Sequence, residues 1–330
     1  MVRRQHECRF AIAIAGVYLR ACIEDDVRDL VATLPDRIHE DAVSIRVCRV
    51  RVQPFAQQRR HCVGVARPDC VKQVVDPEAP PSAFKIDPTA NRMVAGPGVI
   101  SVLSPFDEHA VEAALRIKDK QPARITALSL GANLQREVVK KPLSMGVDAL
   151  ILLDDEAFAG GDSYSTAYAL AMAIKKIGSY DLILCGRQAS DWDAGLVGSG
   201  IAEILGLPCV TVAKKIEVAD GKARVERVVS DGYEVVETPL PALITVSNEL
   251  GQARYPTIKG IMTAKKIEPV VWKPADIGVD PAQIGAAGRK TNLLKLFQPV
   301  RESKCEVIGG QTPEEAGANL AVKLREAKLL

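Results

Sequence analysis

From about residue 99, short apolar runs alternate along the chain with segments whose apolar residues repeat at helical spacing. Residues 149–153 and 181–185 are apolar runs of strand length. Residues 163–177 repeat apolar positions with helical spacing before Gly178, and residues 107–118 do the same behind acidic residues in their first turn. Strands that alternate with helices predict a mostly parallel sheet covered on both faces.

Other segments extend the same order. Further helices are predicted at 133–145, with an irregular last turn at Pro142, at 195–205 and at 313–327. Further strands are predicted at 71–75, 124–129, 209–212, 223–229, 233–236 and 242–246, with hairpin turns at 220–221 and 231–232. Right-handed crossovers would make this a doubly wound, Rossmann-like α/β fold. The chain beyond residue 247 has little regular pattern before 313, which is typical of an arm that wraps a partner.

The basic residues change type near residue 70. Residues 1–69 contain twelve arginines and no lysine, whereas 70–330 contain eleven arginines and twenty lysines. We therefore expect an atypical, poorly ordered extension at 1–69, an α/β nucleotide-binding domain at 70–250 and a C-terminal arm at 251–330. A basic arm for nucleic acid is the alternative for the extension. Pro68 cannot donate to a central ladder, so the first strand of the domain is expected to be short.

Charge and cysteine content exclude several classes of protein. The net charge of +2 gives no reason to expect nucleic acid as a partner, and no apolar run is long enough to insert into a membrane. The apolar residues 10–19 follow basic residues, as in a signal peptide, but the run is short, acidic residues follow it and no small-residue cleavage site is recognisable, so export is not expected. The eight cysteines include no CxxC pair, which predicts reduced thiols, no metal site and a cytoplasmic location.

The candidate ligand-binding residues lie in the loops that follow the predicted strands. Ligands of doubly wound sheets bind beyond the carboxyl ends of the strands, which selects the loops after 71–75, Ser129 and Cys185. The segment 185–200 leaves a strand and enters a helix, and its glycines would allow close approach of a backbone or a ligand. Free N–H groups at that helix start suit a phosphate, although the spacing is neither GxGxxG nor a Walker A loop.

Several blocks resemble, in content and order, the beta subunit of electron transfer flavoproteins. They are 70–77 (CVKQVVDP), 104–115 (SPFDEHAVEAAL), 144–148 (SMGVD), 181–189 (DLILCGRQA), 231–237 (DGYEVVE), 239–243 (PLPAL) and 254–266 (RYPTIKGIMTAKK).

The resemblance implies a heterodimer with an alpha subunit that supplies most of the site for a redox FAD. The beta subunit then holds AMP, or a second FAD in electron-bifurcating members. It implies transfer of electrons from flavin-dependent dehydrogenases of the acyl-CoA type to a quinone reductase or similar acceptor. No catalytic residues are expected in this subunit, which contains no recognisable Ser/His/Asp set, HExxH motif or carboxylate pair.

The resemblance also implies which residues line the nucleotide pocket. They are Cys70, Ser104, Pro105, Phe106, Asp107, Leu130, Gly186, Arg187, Gln188, Ala189, Asp191, Trp192, Asp193, Gly195, Leu196, Val197 and Gly198. Asp107 is expected to cap a helix rather than contact the ligand, and Cys70 to be a packed side chain rather than a nucleophile.

The loop GLVG at 195–198 stands where AMP-binding members have NQTG. The longer DAGLVG matches DTAQVG of bifurcating members only in part. Trp192 is expected either to stack on a nucleotide ring or to be a plain loop residue.

A second set of residues is implied to bind a dehydrogenase. The segment 254–266 is similar to the family's recognition loop, and Ile258 stands where the family places an anchoring leucine. Basic residues around an apolar anchor would steer the partner. The partner-binding residues are expected to be Arg254, Tyr255, Ile258, Ile261, Met262, Lys265 and Lys266.

Two alternative functions remain open at this stage. The chain could be the beta subunit of a bifurcating flavoprotein, in which a second FAD accepts hydride from NADH. It could also be a universal-stress-like ATP-binding regulator on the same kind of sheet. The regulator requires a glycine-rich phosphate motif near the end of the domain and no recognition loop, so the segment 254–266 counts against it.

Overall fold

A computed structural model describes residues 12–14, 17–19, 65–87, 89, 91–297 and 306–329. The chain divides into two compact units, Met1–His61 and Cys62–Leu330. In the first unit the described residues are two short strands, β1 (Ile12–Ile14) and β2 (Val17–Leu19), which pair antiparallel. The expected poor order of the extension otherwise concerns residues outside the described ranges.

The second unit contains the predicted α/β domain. Its strands are β3 (Val65–Cys70), β4 (Gln73–Val75), β5 (Phe84–Asp87), β6 (Arg92–Ala95), β7 (Ser101–Leu103), β8 (Ala123–Gly131), β9 (Ala149–Asp154), β10 (Leu182–Gly186), β11 (Cys209–Ala219), β12 (Lys222–Val229), β13 (Gly232–Pro239), β14 (Ala242–Val246) and β15 (Val270–Trp272). Its helices are α1 (Pro105–Lys120), α2 (Arg136–Val139), α3 (Lys141–Met145), α4 (Ser163–Ile177), α5 (Val197–Leu205), α6 (Ile258–Lys266), α7 (Pro274–Ile277) and α8 (Pro313–Glu326).

Nine strands form the central sheet. Their order is β13-β12-β11-β14-β10-β3-β8-β9-β15, and every pair from β11 to β15 in this order is parallel. The remaining strands β12 and β13 are added antiparallel through two-residue turns. The first turn, at 220–221, is as predicted, and the second, at 230–231, lies one residue before the predicted 231–232. Asp220 and Gly221, in the first of these turns, both have a positive φ, as such hairpins require. The predicted mostly parallel, doubly wound sheet is therefore confirmed.

Two layers of apolar side chains hold the helices against the sheet. On one face α1 packs its buried residues with the inward side chains of β8 and β14, and on the other α4 and α5 pack on β10. The strands β10 and β14 are buried along nearly their whole length, because helices cover both of their faces. The apolar runs in the sequence thus correspond to the centre of the sheet.

The first strand of the domain lies earlier than predicted. Residues 71–75 were expected to form it, but β3 runs from Val65 to Cys70. The first five residues of β3 therefore lie before residue 70, where the domain was expected to begin. Pro68 lies within β3, and β10 pairs with β3 only at Asp69 and Cys70. Pro68 precedes the residues that pair with β10, so its lack of an N–H removes no hydrogen bond between these two strands. Part of the predicted strand forms β4 instead, which pairs with β7 in a separate two-stranded sheet.

Two other predicted segments differ in detail. The helix expected at 133–145 is split into α2 and α3, and Pro142 stands in the first turn of α3, where its missing N–H has no intrahelical partner to lose. The segment after residue 247, expected to be irregular, contains α6, α7 and β15. The last of these adds a strand to the sheet edge beside β9. These elements are too short to produce a visible period.

Candidate nucleotide-binding site

The topology places a crevice between β3 and β10. The strand that follows β3 in the parallel sheet, β8, lies on one side of it, and β10 lies on the other. The loops after β3 and β10 therefore leave the sheet in opposite directions, which is the switch point where doubly wound sheets bind ligands. Cys70 ends β3, Gly186 ends β10, and the half-buried Leu130 lies near the end of β8.

Asp107 joins the two sides of this crevice. One carboxylate oxygen accepts a hydrogen bond from the backbone N–H of Lys72 at 2.8 Å, and the other accepts one from Gly186 at 3.2 Å. The expectation that Asp107 caps a helix is wrong: α1 begins at Pro105 after Ser104, and the Asp107 side chain points to the neighbouring loops. A carboxylate is suited to this place because its two oxygens can accept from two loops at once.

Burial sets the protonation of this carboxyl group. Loss of solvation raises the pKa of Asp107 from 3.8 to about 7, against the opposing hydrogen bonds from Lys72 and Gly186 and the charge of Lys72. Gly186 has to be glycine here, because a Cβ would stand 2.5 Å from a carboxylate oxygen of Asp107 and 2.8 Å from the carbonyl carbon of Phe106.

Lys72 was not among the residues expected at the site. Its Nζ lies 2.9 and 2.7 Å from the two carboxylate oxygens of Asp191, in the loop after β10. The lysine stands two residues past the end of β3, within the block that resembles the family. The strand was predicted at 71–75, which placed Lys72 inside a strand rather than in the loop, so its role could not be recognised.

The remaining side chains of the β10 loop are held by local contacts. The guanidinium of Arg187 lies 5.2 Å from the ring centre of Phe106 and donates to Ser247 Oγ at 3.3 Å. The amide of Gln188 donates to Asp193 at 2.8 Å, and the backbone carbonyl of Ala189 accepts from the Asp193 N–H at 2.9 Å. These contacts give the loop a defined conformation before it enters α5.

The second half of this loop is open to solvent. Every residue from Asp191 to Leu196 is exposed, and the exposed fractions of Trp192 and Leu196 are 62% and 61%. An exposed indole in this loop offers a surface on which a ring can stack. Gly195 has a φ of +64°, a conformation that favours glycine.

Gly198 and Gly200 serve packing rather than ligand approach. A Cβ on Gly198 would lie 2.7 Å from Thr245 Cγ2 on β14, and one on Gly200 would lie 2.9 Å from Ala167 Cβ on α4. Both glycines therefore let α5 pack closely against its neighbours. A bulky residue at position 198 would displace the helix before it reached a phosphate.

Several polar groups at the crevice are not used by the protein itself. The hydroxyl oxygens of Ser104, Ser129 and Ser190 are buried, and none has a hydrogen-bond partner within the described part of the chain. Ser104 precedes α1, Ser129 lies in β8 two residues before its end, and Ser190 lies in the loop four residues after β10. The α5 helix has no side-chain cap, since its N-cap residue is Leu196, so its first N–H groups are also available. Buried polar groups without partners, beside an uncapped helix start, mark this region as a candidate ligand site.

Cys70 and Cys185 are neighbours across the crevice floor. They are register partners on β3 and β10, and both are buried. A hydrogen bond with Cys70, together with burial, raises the pKa of the Cys185 thiol well above its ordinary value. A buried, protonated thiol beside another thiol is a packing group and a poor nucleophile.

The expected partner-binding segment forms a helix with an exposed apolar stripe. Ile258, Ile261 and Met262 of α6 are 80%, 43% and 60% exposed, and Lys265 continues the same face. Tyr255, just before the helix, is 79% exposed, and Lys266 at its end is exposed too. The opposite side of α6 lies against α3, where a Cβ on Gly260 would overlap the backbone oxygen of Ser144.

Arg254 differs from the other residues of this set. Its guanidinium contacts Glu112 at 2.8 Å and Asp119 at 2.7 Å, both on α1. Arg116 shares Glu112 and donates to the backbone oxygen of Leu250 at 2.8 Å. Arg254 therefore fixes the segment that precedes α6, and the freely exposed cations of this surface are Lys259, Lys265 and Lys266 among the described residues of the segment.

Comparison with known proteins agrees with the α/β fold. Residues 94–277 match the model of the electron transfer flavoprotein domain. The chain is 40% identical over 262 residues to the caffeyl-CoA reductase-Etf complex subunit CarD of Acetobacterium woodii, covering 79% of this chain and 98% of that protein. It is 38% identical to the electron transfer flavoprotein subunit beta of Thermoanaerobacterium thermosaccharolyticum, with the same coverage, and 41% identical to that of Megasphaera elsdenii over 71% and 87% of the two chains.

The chain belongs to the electron transfer flavoprotein family. Its function is that of the beta subunit of such a flavoprotein, which transfers electrons in a complex with an alpha subunit and a flavin. These comparisons do not favour the two alternative functions, a universal-stress-like ATP-binding regulator and the beta subunit of a bifurcating flavoprotein. Among the described helices of this electron transfer flavoprotein subunit, none has the length and apolar character needed to cross a membrane.

Proposed function

We propose that this beta subunit binds an adenine nucleotide in the crevice between β3 and β10. The ligand is AMP, or the AMP half of a second FAD. The observation that carries the proposal is the presence of three buried serine hydroxyls without partners in the described chain, at Ser104 before α1, Ser129 in β8 and Ser190 in the loop after β10. Buried hydroxyls of this kind satisfy the ribose and phosphate oxygens of a ligand.

The start of α5 would hold the phosphate. Its first N–H groups lack a side-chain cap, and the helix dipole favours an anion at this end. The loop lacks the Asn, Gln and Thr side chains of the AMP-binding pattern, so backbone groups would supply most of the contact. AMP at this site would be structural, whereas a second FAD would add a redox centre.

The identity of the nucleotide defines two versions of the function. With AMP, the protein is an ordinary carrier between flavin dehydrogenases and an acceptor such as a quinone reductase. With a second FAD, it is a bifurcating flavoprotein whose flavin accepts hydride from NADH. The exposed indole of Trp192 in the loop offers a stacking surface for an adenine or a flavin ring, and the released nucleotides decide between the two versions.

Nucleotide release from the purified heterodimer tests this proposal. The alpha and beta subunits are co-expressed, the complex is denatured, and the released nucleotides are separated and quantified. One FAD with one AMP per heterodimer supports the ordinary carrier, and two FAD support the bifurcating form. One FAD with no second nucleotide would show that the crevice is not a nucleotide site.

We further propose that α6 docks flavin-dependent dehydrogenases of the acyl-CoA type. The exposed stripe formed by Ile258, Ile261 and Met262 provides an apolar centre, and Lys259, Lys265 and Lys266 provide a basic rim that attracts an acidic partner. In this proposal the subunit works in the cytoplasm as an electron carrier without catalysis of its own.

A further inference from the structure

Lys72 and Asp191 face each other across the crevice. The ammonium nitrogen of Lys72 lies within hydrogen-bond distance of both carboxylate oxygens of Asp191, at 2.9 and 2.7 Å. One residue follows β3 and the other follows β10, the two strands on either side of the switch point. Because ligands of this fold enter between these two loops, the ion pair crosses the place that the proposed nucleotide would occupy.

The two partners are held differently. The backbone of Lys72 is fixed at both ends, since its N–H donates to Asp107 at 2.8 Å and its carbonyl accepts from the Ser104 N–H at 2.9 Å. Its side chain is 44% exposed, whereas that of Asp191 is 19% exposed. The ammonium group therefore leaves a rigid base on a flexible stem and can change its partner without moving the backbone.

A carboxylate and a phosphate offer a lysine the same kind of oxygen acceptor. The other cation beside the crevice, Arg187, is already placed by the ring of Phe106 and by Ser247. We propose that Lys72 is a nucleotide-binding residue whose ammonium exchanges the carboxylate of Asp191 for a phosphate oxygen, so that Asp191 competes with the nucleotide for Lys72. This inference rests on the proposed nucleotide site and adds to it a contact that selects for phosphate.

Two substitutions separate this exchange from a purely structural ion pair. Lys72→Met removes the cation and keeps the length of the side chain, and Asp191→Asn removes the competing charge. If Lys72 holds the phosphate, Lys72→Met weakens the binding of AMP about tenfold but leaves that of adenosine unchanged, and Asp191→Asn binds AMP as tightly as the parent or more tightly. If the pair only orders the loops, both substitutions weaken AMP and adenosine alike.

The experiment is a titration of the purified heterodimer with AMP and with adenosine after bound nucleotide has been removed. Lys118→Met is the matched control, because its ion pair with Asp148 has a comparable length of 2.6 Å but lies at the amino ends of the strands. Thermal unfolding of each variant shows whether it is folded, and Lys72→Arg, which keeps the charge, should retain most of the AMP affinity.

The outcomes distinguish the two proposals. A parent heterodimer that binds neither AMP nor adenosine, and releases no second nucleotide, removes the proposed nucleotide site itself. A parent that binds AMP, with Lys72→Met binding AMP equally well, overturns only the role of Lys72. Equal losses for AMP and adenosine in a folded Lys72→Met variant overturn it as well.

Discussion

Arg254 and Glu112 are joined across 142 positions of the sequence, with Nε of the arginine 2.8 Å from a carboxylate oxygen. Glu112 is buried on α1, and Arg254 begins the segment that leads to α6. The contact connects α1 of the α/β domain to the surface proposed to bind a dehydrogenase. From the sequence, Arg254 was expected to attract the partner; in the structure it holds the segment before α6 in place instead.

Glu112→Gln should loosen the segment before α6. Burial alone would raise the pKa of Glu112, but hydrogen bonds from Arg254 and Arg116 outweigh it and lower the pKa. The stabilisation is therefore present above the ordinary value of 4.5 and is lost as the pH falls through the lowered pKa. Because both arginines are partly exposed, we expect a loss of about 1–2 kcal/mol in the free energy of unfolding. Denaturant titration and limited proteolysis near residue 254 measure it.

Glu108→Gln is the control for this prediction. Glu108 lies on α1 like Glu112, but its ion-pair partner is Lys141 of α3 rather than Arg254. Comparable proteolysis of the two variants near residue 254 would mean that Glu112 does not hold that segment.

Ile258→Ala should weaken docking of the dehydrogenase. The side chain is 80% exposed at the start of α6 and has basic residues around it. Truncation of an interface anchor typically costs about 2 kcal/mol, or about thirtyfold in affinity. Electron uptake at subsaturating dehydrogenase should slow while the flavin spectrum stays the same. Ile100→Ala, at a 62% exposed isoleucine outside α6, should leave uptake unchanged. Equal rates for both variants would contradict the assignment of α6.

Gly260→Ala should displace α6 from α3. The added methyl group would overlap the backbone oxygen of Ser144, which cannot move as a flexible side chain could. We expect a destabilisation of about 1–3 kcal/mol together with slower electron uptake. Gly317→Ala, in α8, meets no atom within 4 Å and provides the control. A stability of Gly260→Ala equal to that of the parent would show that this approach is less tight than described.

Asp107→Asn should change the pH dependence of stability. Because burial raises the pKa of Asp107 from 3.8 to about 7, the folded protein binds an extra proton at this residue between those two values. Its stabilising contribution is therefore full below 3.8 and is lost as the pH rises through about 7. The parent should lose up to about 1.4 kcal/mol per pH unit in this window from this group, and the variant should not. Denaturant titrations of parent and variant from about pH 5 to about pH 8 compare the slopes. Parallel curves would rule out this titration.

Truncation should define where the domain begins. The second compact unit starts at Cys62 and its central strand β3 at Val65. Removal of residues 1–61 is expected to leave flavin content and thermal stability unchanged, whereas removal of residues 1–69 deletes most of β3 and should prevent folding. Soluble, flavin-loaded protein from the longer deletion would contradict the position of β3 in the sheet.

The sequence by itself determined the fold class, the order of most elements and the family. Apolar runs such as 149–153 and 181–185 gave buried parallel strands, because only strands covered on both faces lack polar alternation. The loops after β8 and β10 followed from the topology that this alternation implies, whereas the loop after the first strand was placed five residues too late, after residue 75 instead of Cys70. Glycines predicted where helices end, because a helix often closes with a left-handed residue. Gly206 has this conformation at the end of α5.

Only the tertiary structure decided which side chains work together. Asp107 looked like a helix cap, Lys72 like a strand residue and Arg254 like a free surface charge. Their actual partners, Gly186, Asp191 and Glu112, are 79, 119 and 142 residues away in the chain. Local propensities depend on neighbours in the sequence, whereas these contacts depend on which loops the sheet brings together. Pro68 shows the same limit: whether its missing N–H disrupts a strand depends on the register with β10, which no local pattern specifies.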